Sequence, residues 1–175
     1  AAGNSSEFSP TFGVTGPAQT FVVNTTNDFD DGACDVTHCS LREAIDAATT
    51  NLPAVDSIHF GIPGAPPYVI QPQSQLPDVG DATILNATTQ PGFAGSPLVE
   101  LAGLTACCDG LRLAAAGSTV RGFVLRNWPG IGIFDVGGNA TIAGNFIGTD
   151  VTGMLSQWNN AGLFTSGAGT VVGGS

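Results

Sequence analysis

The sequence contains no lysine, and its four basic residues are Arg42, Arg112, Arg121 and Arg126. Charge of either sign is scarce at 10% of the chain, yet 14 residues are acidic and the formal net charge is −10. Phosphate backbones and anionic lipids are held by clustered Lys and Arg, so nucleic acid is excluded as a partner. Long apolar runs are missing too. No stretch approaches the roughly 20 residues of a membrane span, so membrane insertion is not expected. The chain also lacks a nucleophile elbow, a phosphate-binding loop and a dinucleotide fingerprint in proper context.

What is present argues for a packed fold. Hydrophobic residues make up 42% of the 175 positions, too many for a disordered chain of low charge. The 25 glycines follow no Gly-X-Y register and are interleaved with Val, Ile, Leu and Phe, which excludes collagen and argues against a flexible linker. One domain is the natural count.

The four cysteines, Cys34, Cys39, Cys107 and Cys108, are an even number, which favours disulfides and a secreted setting. A local Cys34–Cys39 bridge is geometrically easy. Cys107 and Cys108 are then a vicinal or reduced pair, and a vicinal bond is strained because adjacent Cα atoms sit only about 3.8 Å apart. Cross-pairing between the two sites, or with another subunit, stays open. The start, Ala1-Ala2-Gly3-Asn4, has neither a basic nor an apolar leader and reads as a mature end after signal removal.

Along the chain, residues 1–19 form a polar arm, flexible and without a core of its own. Residues 20–55 hold a first strand at Thr20-Phe21-Val22-Val23, an acidic disulfide loop and a helix from Leu41 to about Thr49. Ser40 and Glu43 form a capping box at its start, and Leu41, Ala44, Ile45 and Ala48 make one apolar stripe, with Arg42, Glu43 and Asp46 on the other side. Residues 56–175 are short apolar runs separated by Gly, Asn, Pro and Asp. A repeated Thr-(Val/Ile)-X-Gly core recurs at Thr119, Thr141 and Thr170, at spacings of 22 and 29 residues, with the excess placed in an inserted loop over 152–160. Repeats of strand and turn without crossover helices predict an all-β fold: a right-handed parallel β-helix (solenoid) with a short amphipathic N-terminal capping helix. A Greek-key sandwich is the alternative.

Cys39-Ser40-Leu41-Arg42-Glu43-Ala44 resembles the N-terminal motif of the bacterial extracellular CSLREA-motif family, and the likeness extends upstream into Asp31-Gly32-Ala33-Cys34-Asp35. Ile147-Gly148-Thr149-Asp150-Val151-Thr152-Gly153 is similar to the coil motif of the β-helical repeats that commonly follow. The resemblance implies a secreted or surface protein with a parallel β-helix and generally no assigned reaction. The chain departs from it in being short and in carrying Cys107-Cys108.

Glycoside hydrolysis uses two carboxylates across one bond, whereas Asp56, Asp78, Asp81, Glu100, Asp109, Asp135 and Asp150 are spread singly. Asp109 with Arg112, and Asp135 near Arg121 and Arg126, are the best catalytic candidates, and turn roles outweigh them. A zinc site from Cys34, Cys39, His38 and Cys107 lacks paired Cys-x2-Cys spacing. Asp28, Asp30, Asp31 and Asp35 crowd into one loop as weak ligands for a structural Ca²⁺, with no other cofactor expected. Trp128 and Trp158 are candidate sugar-stacking or packing residues.

The expected function is a non-enzymatic extracellular structural or adhesive protein at the bacterial cell surface. No cap is legible after Val171-Val172-Gly173, so either the coil continues or another molecule completes it, which extends to head-to-tail filaments. Self-association or cell-surface partners, glycans among them, are expected. A polysaccharide-binding or pectate-lyase-like degrading module is the alternative.

Overall fold

The computed structural model describes residues 16–103 and 109–173. Most of the polar arm, together with Cys107 and Cys108, lies outside the described residues, so the second half of the disulfide question does too.

Strand β1 (Thr20–Val23) is followed by helix α1 (Leu41–Thr50), β2 (Asp56–Phe60), β3 (Tyr68–Ile70), β4 (Thr83–Asn86), β5 (Val99–Ala102) and β6 (Leu111–Leu113). The rest is β7 (Thr119–Arg121), β8 (Phe123–Arg126), β9 (Ile131–Asp135), β10 (Thr141–Ala143), β11 (Phe146–Ile147), β12 (Ala161–Thr165) and β13 (Val171–Val172). They fall into three sheets, β1-β2-β4-β7-β10-β13, β11-β8-β5-β3 and β12-β9-β6. Every pairing between these strands is parallel. From β4 onward the chain visits the three sheets in rotation.

Register places like on like. In the largest sheet Phe21, Ile58, Leu85, Val120, Ile142 and Val172 form one line, each paired with the next. Ile70, Leu101, Leu125 and Ile147 do the same in the second sheet, and Leu111, Ile133 and Leu163 in the third. Most of these residues belong to one continuous buried core that also takes in Leu41, Ala44, Ile45 and Ala48 of α1. The helical stripe read from the sequence therefore closes over the start of the sheets, in contact with β1 and β2. Capping is as expected: the Glu43 N–H donates to Ser40 Oγ at 3.3 Å and the Ser40 N–H to Glu43 Oε2 at 2.7 Å.

The expected all-β closed solenoid needs correction. Among the described residues no closed solenoid forms: the strands make three separate parallel sheets of six, four and three members, with a helix among them. The physical reason lies in the early segments. Between β1 and β2 the chain is spent on a loop and α1. Between β2 and β3, Pro63, Pro66 and Pro67 lack the N–H that a ladder requires. The second and third sheets therefore start later than the first. The repeat is also shifted in its last copy: Thr119 pairs with Thr141, but Thr141 pairs with Val171, not Thr170. Thr170 instead donates its hydroxyl to Asp135 Oδ2.

The two tryptophans separate completely. Trp128 is fully buried, its Nε1–H donating to the Leu101 carbonyl at 3.2 Å, whereas Trp158 is 64% exposed. A Cβ on Gly103 would stand 2.6 Å from the Trp128 ring, so glycine at that position is what lets the indole in. Trp128→Ala is expected to cost about 3–5 kcal/mol in urea unfolding followed by far-UV circular dichroism. Trp158→Ala should stay within about 0.5 kcal/mol of the parent.

Candidate functional site at the disulfide loop

The loop between β1 and α1 holds itself together with side chains because it has no strand neighbours. Asn24 accepts the Cys39 N–H at 2.8 Å and donates to the carbonyls of Asp35 and Val36, and the Cys34–Cys39 disulfide closes the turn between them. That bridge confirms the local pairing and removes the two thiolates that a Cys34/Cys39/His38 zinc site would need.

The four loop carboxylates expected as Ca²⁺ ligands have different partners. Asp28 receives the Arg42 guanidinium at 2.9 and 3.2 Å and the Gln73 N–H at 2.8 Å. Arg42 also donates to the Gln75 and Ser74 carbonyls, so this pair ties the loop to the chain after β3. Asp30 accepts the Gly32 N–H at 2.9 Å. Asp35 accepts the Thr37 hydroxyl, the Thr37 N–H and the His38 N–H, and these bonds, the hydroxyl foremost, hold its carboxyl below the usual range. Of the four, Asp31 alone joins a cluster of potential ligands, with His38 and Glu43.

That cluster was not legible in the sequence, where Glu43 read as a cap on the polar side of α1. Its side chain is 2% exposed. Oε1 accepts the Asp31 N–H and Oε2 the Ser40 N–H, both at 2.7 Å. Burial pushes this carboxyl up, but the hydrogen bonds from Ser40 and Asp31, with His38 beside it, outweigh burial and leave it below the ordinary glutamate range. His38 Nδ1 lies 3.0 Å from Glu43 Oε2 and 3.4 Å from Asp31 Oδ2. Its other nitrogen, Nε2, is 3.0 Å from Asn27 Oδ1. An acid at the helix start and a histidine held between two cysteines were each visible, but neither the burial of the acid nor their meeting was, since both depend on how the loop folds back.

The catalytic candidates of the sheets are engaged separately. Asp109 accepts the Ile131 N–H at 2.7 Å, and Asp135 accepts the Gly138 N–H at 2.9 Å beside the Thr170 hydroxyl. Arg112 pairs with Asp78, not Asp109, and lies over the Phe134 ring at 5.5 Å. Arg126 pairs with Glu100 at 2.6 Å, both side chains largely buried. These contacts anchor turns and adjacent strands. Arg126→Met strands the Glu100 carboxylate and is expected to cost about 3–5 kcal/mol in urea unfolding. The double variant Glu100→Gln with Arg126→Met should recover a large part of that loss. Compared with known protein families and with curated proteins, the chain matches none.

Proposed function

We propose that the chain is a non-enzymatic, extracellular structural and adhesive protein whose outermost strands take a second copy of the chain head to tail. The observation that carries this reading is a coincidence of edges. Among the described residues β13, β11 and β12 are each an outermost strand of their sheet. Unpaired strand edges are templates for further pairing, and proteins that do not use them blunt them with charge, proline or a covering element. Here the edge strands carry Val171, Val172 and Phe164, at least half exposed, with Trp158, Met154 and Leu155 exposed in the preceding loop.

The occupant is a second copy because the first sheet also ends in a compatible edge. β1 is its other outermost strand and runs parallel to every other member. A β1 placed beside β13 continues the sheet in the same direction. That contact is heterologous and repeats without closing, which builds a filament. The disulfide supports an oxidising compartment for this assembly.

Backbone polarity at β13 supplies the test. The Val171 N–H donates inward to Ala140 and the Gly173 N–H inward to Ile142, so the Val172 N–H faces the open edge. Val172→Pro removes that donor and leaves both inward bonds intact. Multi-angle light scattering should show a mass that rises with concentration for the parent chain and a monomer throughout for Val172→Pro, with unchanged circular dichroism. A parent chain that stays monomeric over the whole range overturns the reading.

A further inference from the structure

We propose that Asp31 Oδ2, His38 Nδ1 and Glu43 Oε2 hold one divalent first-row transition-metal ion of the Zn²⁺ type at the junction of the disulfide loop and α1. The first support is the direction of the histidine. Asn27 Oδ1 accepts the Phe29 N–H at 3.1 Å, which orients the amide so that its oxygen also faces His38 Nε2. Nε2 therefore carries the proton in the neutral ring, and Nδ1 presents a lone pair. Nδ1 is buried and makes no hydrogen bond, although Glu43 Oε2 is only 3.0 Å away. The carboxylate oxygen is thus off the Nδ1 axis. Ligands of a shared ion have this relation, since each points at the ion and not at its neighbours.

Spacing is the second support. The three atoms lie within 4.8 Å of one another, with Nδ1 at 3.0 and 3.4 Å from the two oxygens. Ligands about 2.0–2.2 Å from a tetrahedral zinc ion stand roughly 3.3–3.6 Å apart, so small side-chain shifts complete the arrangement. The third support is the surroundings. Asn27 on the far ring nitrogen, and the Ser40 and Asp31 amides on Glu43, are the outer contacts that orient metal-bound histidines and carboxylates. The Cys34–Cys39 bridge brackets His38 in sequence. A calcium ion fits less well, because it takes six to eight oxygen ligands. Asp28, Asp30 and Asp35 are occupied with Arg42, Gly32 and Thr37.

The test is calorimetric titration of the whole chain, stripped with EDTA, with Zn²⁺, and with Ca²⁺ in parallel. Co²⁺ absorption reports coordination geometry. One equivalent of Zn²⁺ should bind, with visible Co²⁺ bands and no comparable Ca²⁺ heat. Asp31→Asn retains the Asp31 N–H bond to Glu43 and should weaken Zn²⁺ binding by about 10–100-fold with unchanged circular dichroism. His38→Gln should do the same and abolish the Co²⁺ bands. No Zn²⁺ binding up to millimolar concentration, equal binding of Ca²⁺, or undiminished binding in both variants overturns the proposal.

Discussion

The parallel backbone ladder between successive passes of the chain is the constraint on which everything else rests. Strands of two to five residues cannot persist alone, and each inner strand is held by hydrogen bonds to the pass before and the pass after, each outermost one by a single neighbour. Register follows from the same requirement. Shifting one strand by a single residue would turn its buried Leu, Ile or Val out to solvent, so Ile58, Leu85, Val120 and Ile142 fix each other in line. Glycine at position 103 and the buried Trp128 show how tightly the interior beside these lines is filled.

Because the ladder is the source of stability, its two ends differ in kind. At the first end the chain supplies its own substitutes for a missing neighbour. Helix α1 lays Leu41, Ala44, Ile45 and Ala48 over the apolar interior, and Asn24, Asp28, Asp35 and Glu43 satisfy loop amides that no strand reaches. At the other end, among the described residues, the outer strands carry exposed Val171, Val172 and Phe164. One end is polar, cross-linked and rich in carboxylates; the other offers hydrogen-bonding edges with apolar side chains. The proposed metal ion draws on the first end alone, whereas the proposed self-association brings β1 at that end against β13 at the other.

Local periodicity and turn chemistry were readable from the sequence because they depend on neighbours in the chain. The capping box at Ser40 and Glu43, the stripe on α1, the Cys34–Cys39 pairing and the first strand at Thr20–Val23 all belong to this class. The closed solenoid did not hold, since repeat spacing reports strand recurrence and says nothing of whether proline-rich early segments can join the second and third sheets. Thr170 illustrates the limit: the Thr-(Val/Ile)-X-Gly pattern aligns it with Thr141, but its bond to Asp135 accompanies a ladder that runs one residue along. Charge partners were the least legible. Arg112 could as well have paired with the nearer Asp109 as with Asp78, and the convergence of Asp31, His38 and Glu43 requires a loop that folds back on a helix end. Contacts of this kind are fixed by tertiary geometry and leave no periodic trace.

Amide hydrogen exchange, read residue by residue on dilute and on concentrated protein, tests the central claim most directly. The account predicts slow exchange in β2, β4 and β7 at both concentrations, because those strands have neighbours on each side within one chain. It predicts fast exchange of the Val172 amide in dilute protein, with protection there and in β1 appearing on concentration. Fast exchange of Val172 at every concentration, or loss of protection in β4 and β7, would contradict it.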